Sequence, residues 1–119
     1  PSIEHVLPQN WLKNWLLADG SKGMDFLELG NAADGDPRAA ATRKRENALQ
    51  TLGNLTILST ALNTAQSNLP WSEKRPELLK HSLLPINQAL QTEEVWDEAA
   101  ILARGEMLFA RALQIWRWG

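Results

Sequence analysis

Residues 52–68 read LGNLTILSTALNTAQSN, and this stretch decides how the chain folds. Its first half, LGNLTILS (52–59), carries Leu55, the β-branched Thr56 and Ile57, a strand pattern, with Gly53 marking a turn or a close approach just before it. Its second half, TALNTAQSN (60–68), reads as a short helix that soon loses its apolar pattern. The other strand-like segment lies far away, at residues 2–8, where Ile3, Val6 and Leu7 are apolar and Pro8 ends the run.

Everything else is helical or loop. Asn10 caps a helix in which Trp11, Leu12, Trp15 and Leu16 recur at helical spacing. ADGSKGMDFLELGNAADGDP (18–37) is rich in Gly, Asp and Asn and reads mainly as loop. Asp36-Pro37, a cap followed by a first-turn proline, opens a second helix that runs through Arg45 to about Leu49 or Thr51. LPWSEKRP (69–76) is a turn-rich connection, with Ser72 or Arg75-Pro76 starting a helix that carries Leu78, Leu79 and Leu83. Pro85 interrupts it, and a short segment around Ile86 to Leu90 follows. From Thr92 a long helix holds Val95, Trp96, Ala99, Leu102, Phe109, Ala110, Leu113 and Trp116 on one apolar stripe, broken by Glu106. The expected class is α+β, mostly helical, with two short strands in one domain spanning 1–119.

The composition narrows the chemistry. A chain of 119 residues fits one domain with a sizeable core. With no cysteine and only His5 and His81, neither a thiolate nor an imidazole zinc site can be built, so a bound metal must be a hard cation held by oxygen. No apolar run reaches transmembrane length and no secretory signal opens the chain, so it reads as a cytoplasmic domain of a longer protein. The net charge of −2 conceals a separation of acid (Asp19, Asp25, Glu28, Asp34, Asp36; Glu93, Glu94, Asp97, Glu98) from base (Arg38, Arg43, Lys44, Arg45; Lys74, Arg75, Lys80; Arg104, Arg111, Arg117). The basic groups read equally as a patch for a polyanion or as solvated helix faces.

The polar residues around the two strands suggest a reaction. Glu4 and His5 stand side by side in IEHVLPQ (3–9), Asn54 opens the second strand, and Asn63 and Asn68 flank the short helix. One arrangement uses them together: Glu4 and Asn63 supply oxygen to a divalent ion, His5 takes a proton from water, and Asn54 helps fix the imidazole. Phosphodiester hydrolysis requires such a set, a base with a pKa near neutrality and a cation beside the phosphate. Each residue also has a plainer reading. Glu4 and His5 can be structural hydrogen-bond partners, Asn54 a turn residue, and Asn63 and Asn68 helix caps.

IEHVLPQ, LGNLTILS, LNTAQSN and LPWSEKR together resemble the C-terminal nuclease domain of GmrSD-type modification-dependent restriction enzymes. That domain is similar to the HNH, or His-Me finger, nucleases, whose core is a ββα-metal motif. The resemblance implies a ββα core embedded in surrounding helices, with Glu4 as acidic metal ligand, His5 as general base, Asn54 as the residue orienting that histidine, and Asn63 as second ligand. It implies Mg2+ or Mn2+ as cofactor and double-stranded DNA, from phage or carrying modified bases, as substrate. It also implies an N-terminal domain of the same protein that hydrolyses nucleotide and senses the modification. The chain departs from the pattern in having Asn rather than His at the last motif position, and Gln66 where a basic residue often follows. Asn68 is the alternative ligand, and Lys74 and Arg75 are the nearest cations for a phosphate. The competing function is a non-catalytic DNA-binding or assembly module that keeps the same shape.

Overall fold

The structure is a computed structural model; it describes residues 1–82 and 85–118, with side chains described for 1–82 and 89–115. The expectations for Leu83, for Ile86 and for the Trp116 side chain lie outside the described residues. The class is α+β and mostly helical, as the sequence suggests, with two strands, β1 (Ser2–His5) and β2 (Leu55–Leu58), paired antiparallel. The register sets Glu4 opposite Thr56 and His5 opposite Leu55.

Strand β1 is shorter than the expected 2–8. After His5 the chain leaves the ladder: Val6 N–H donates to the Asn54 carbonyl (2.8 Å) and Leu7 N–H to the Asn54 side chain (2.7 Å). Val6 and Leu7 are thereby fully buried without being strand residues. The helix expected after Asn10 is a single 3-10 turn, Trp11–Lys13. Trp11 and Trp15 are instead buried individually, their indole N–H groups bonded to Glu46 (2.9 Å) and to the Leu69 carbonyl (2.8 Å), while Leu16 is exposed.

The presumed loop 18–37 holds a short helix, α1 (Phe26–Asn31), closed by a capping box: Asp25 accepts from Glu28 N–H, and Glu28 accepts from Asp25 N–H. The D-x-x-E spacing was its signal. Helix α2 (Pro37–Leu49) starts where Asp36-Pro37 places it, the Asp36 carboxylate accepting from Arg38 and Ala39 N–H. A 3-10 turn, Leu52–Asn54, leads into β2. Helix α3 (Thr64–Ser67) is shorter than expected, and α4 (Trp71–His81) begins one residue before Ser72 and passes through Pro76. Proline removes the bond to the carbonyl four residues back. Here that carbonyl is Ser72's, in the exposed first turn where water can replace it. A 3-10 segment, Pro85–Thr92, precedes α5 (Glu98–Trp118).

The core is built largely from tryptophan. Trp71 lies between Trp15 (ring centroids 6.1 Å) and Trp96 (5.4 Å), with Leu7, Leu58, Leu78 and Ile101 around them. The expected apolar stripe does not face this core: Leu102 and Phe109 are 65% and 61% exposed, and Leu113 is exposed too. Helix α5 docks instead through Ile101, Arg104 and Gly105, because Gly53 of the 3-10 turn presses directly on its backbone. A Cβ on Gly53 would lie 1.9 Å from the Ile101 carbonyl oxygen. Such backbone contact needs small residues at the crossing, and it rotates the stripe toward solvent.

Candidate active site

The end of β1, the segment Pro8–Asn10 that follows it, Leu62 and α3 enclose an open, polar cleft of about 460 Å³. Glu4, His5, Thr64, Ser67 and Asn68 are among its lining residues. Two residues adjacent in sequence both reach it by different routes. Glu4 is turned toward α3 and α4, where Ser67 Oγ donates to Oε1 (3.0 Å) and Lys74 Nζ to Oε2 (3.1 Å). His5 is turned toward the end of α2, where its Nε2 lies 3.1 Å from Gln50 Oε1 and 3.4 Å from Gln9 Nε2. An amide oxygen only accepts and an amide nitrogen only donates, so Nε2 donates to Gln50 in one tautomer, leaving the lone pair on Nδ1, and accepts from Gln9 in the other.

Lys74 is 0% exposed, and its ammonium also donates to the His5 carbonyl (2.6 Å). Burial pushes its pKa down, and the Glu4 carboxylate opposes that shift. Lys74 therefore underlies the cleft floor, where a phosphate would not reach it. Arg75 points elsewhere, donating to the Glu93 carbonyl (2.7 Å).

The three asparagines divide. Asn54 is fully buried, and its side chain makes four bonds: Oδ1 accepts from Leu7 N–H (2.7 Å) and Trp96 Nε1–H (3.1 Å), and Nδ2 donates to the Leu7 (2.9 Å) and Leu49 (3.0 Å) carbonyls. Two donors and two acceptor sites are all an amide side chain offers. The expected direct contact with the imidazole is thus replaced by an indirect one: Asn54 clamps the backbone two residues beyond His5. Asn63 is the N-cap of α3, with Oδ1 accepting from Gln66 N–H (2.8 Å) and Gln66 Oε1 accepting in return from Asn63 N–H (3.0 Å). Gln66, read from sequence as a missing cation, completes that capping box. Asn68 lines the cleft itself.

Sequence reasoning missed Gln50 and Ser67. They touch His5 and Glu4 across 45 and 63 positions respectively, and nothing in their local pattern signals it.

A model of the GmrSD restriction endonuclease C-terminal domain matches residues 1–111. The chain belongs to this family. No curated protein and no solved structure matched it in the corresponding comparisons. The family acts on DNA as a restriction endonuclease, and no described helix of this GmrSD-type domain is long and apolar enough to cross a membrane.

Nucleases generally use divalent metals. Among the described residues no group of three His, Cys, Asp or Glu side chains converges, so any cation would be held by sparse oxygen donors. One carboxylate, Glu4, beside the neutral oxygens of Ser67, Thr64 and Asn68 suits Mg2+ or Mn2+, which keep several waters of their own. The donor set fits such an ion.

Proposed function

We propose that this domain hydrolyses DNA phosphodiester bonds in the cleft at the end of β1, as an HNH-type nuclease with a ββα unit formed by β1, β2 and α3. One observation carries the reading: Glu4 and His5 line the same polar cleft, but their side chains are held by separate partners, so a carboxylate and an imidazole face one substrate from two sides. His5 is the general base. Gln50 holds Nε2, and Nδ1 takes the proton of the attacking water. Glu4 is the charged ligand for Mg2+ or Mn2+, with Asn68 or Asn63 offering a neutral oxygen; when bound, the ion supplies charge neutralisation at the scissile phosphate. Asn54 holds the Leu7 backbone, and through it the geometry of His5.

We extend the reading to a role in restricting phage or modified double-stranded DNA in the cytoplasm, with modification sensing and nucleotide hydrolysis in an N-terminal domain of the same protein; membership of a restriction-endonuclease family supports the restriction part of it. The test is a plasmid-nicking assay in Mg2+ and in Mn2+. The wild type is expected to nick, and His5→Ala to lose at least about a hundredfold in rate, the usual contribution of a general base. Equal nicking by both proteins would remove His5 from the chemistry, and a gel shift without nicking by either would leave only the DNA-binding or assembly module.

A further inference from the structure

We infer that Lys74 is a positioning residue that also competes with the divalent cation for Glu4, so that the site gains full metal affinity only when a phosphate supplies further negative charge. The inference rests on the metal reading of Glu4 given above.

A carboxylate offers about four acceptor positions and an ammonium three donors. Glu4 already accepts from Ser67 at Oε1 and from Lys74 at Oε2. Lys74 divides its donors between Glu4 and the His5 carbonyl, so a single buried cation ties the candidate ligand to the backbone of the candidate base. Its place is set by α4, whose inward face is Trp71, Lys74 and Leu78. Packing on either side leaves the ammonium no route to solvent, and the pair cannot separate as a surface salt bridge does.

Charge has a further consequence. The Glu4 side chain is 12% exposed and lies over an ammonium of opposite sign, so the floor of the cleft is close to neutral before substrate arrives. A divalent cation approaching Glu4 from the cleft meets the positive charge of Lys74 behind the carboxylate. That repulsion weakens binding in the absence of DNA, and a phosphodiester anion in the cleft relieves it. Lys74 then has two separable effects: it orders Glu4 and His5, and it weakens the affinity for metal alone.

Calorimetric titration of Mn2+ into the DNA-free domain separates these effects. Lys74→Met is expected to bind Mn2+ roughly tenfold tighter than the wild type, within the usual range for coupled ligands, and Lys74→Arg to return toward wild-type affinity. A purely structural lysine would lower stability without tightening the metal, so equal or weaker binding by folded Lys74→Met overturns the inference. Should Lys74→Met not fold, the ammonium 15N resonance of Lys74 in the wild type answers the question. It is expected to shift on Mg2+ addition, and the shift to vanish in Glu4→Gln. Mg2+ binding that leaves this resonance unmoved overturns the inference. Absence of cation binding in every variant overturns it through a different failure, that of the metal reading itself.

Discussion

At the scale of single residues, Asn54 has the largest structural task in the domain. Its amide joins β1's exit, the end of α2 and the segment before α5, by bonding Leu7, Leu49 and Trp96 at once. Asn54→Ala would leave Leu7 N–H and C=O, the Leu49 carbonyl and the Trp96 indole without that partner in a dry interior. Each buried unsatisfied group costs about 1–3 kcal/mol. We expect a loss of about 3 kcal/mol or more, measured as a shift in the urea midpoint. Nicking should fall only as far as the folded fraction and the His5 geometry fall, unlike His5→Ala, which leaves the folded fraction high. The identity of Asn54 as a key position was legible in GNLT. Its mode of action was not, because the four partners lie in three separate segments.

At the scale of elements, the start of α2 was legible, whereas the long last helix begins at Glu98 rather than at the expected Thr92. Asp36-Pro37 marks α2 because a carboxylate cap and a first-turn proline both act within three residues. Helix faces were not so legible. Hydrophobic periodicity assigns the inner face of α5 to Leu102, Phe109 and Leu113, yet the crossing with the 3-10 turn Leu52–Asn54 buries Ile101 and Arg104. Arg104 reaches under that turn to the Gly53 (3.0 Å) and Leu55 (2.8 Å) carbonyls. A close backbone crossing selects small residues and carbonyl-seeking cations, and a hydrophobicity pattern weights neither. Gly53→Ala should therefore cost about 3 kcal/mol or more, since its Cβ would strike the Ile101 carbonyl at 1.9 Å and both parts of the crossing are backbone. Gly105→Ala is the contrast. Its Cβ finds its nearest atom at 3.4 Å, and alanine is favoured over glycine in a helix by up to about 1 kcal/mol, so a neutral or stabilising effect is expected in the same denaturation experiment.

At the scale of the whole molecule, Arg45 ties α2 to the segment 11–16 and to the start of α5. Its guanidinium lies 5.0 Å from the Trp11 ring centroid and pairs with Glu98 at the start of α5 (2.7 Å), and it also donates to the Leu16 carbonyl. Arg45→Met would strand Glu98, whose side chain is 11% exposed, and we expect a loss of about 3–5 kcal/mol by denaturant titration. Arg45→Lys should recover little of it, because an ammonium lacks the planar fork that serves both the carboxylate and the carbonyl. The chain by itself determined the class, the existence of the two strands, the α2 start and the family, all of which depend on local pattern or short motifs. Tertiary structure alone decided which face of α5 is buried, that Lys74 lies beneath Glu4, and that Gln50 meets His5. Those outcomes depend on close approach between segments tens of residues apart, and no local periodicity encodes such an approach. The IEHVLPQ segment shows the division: its residues put a carboxylate beside an imidazole, and packing against α2, α3 and α4 gave each side chain its own partners.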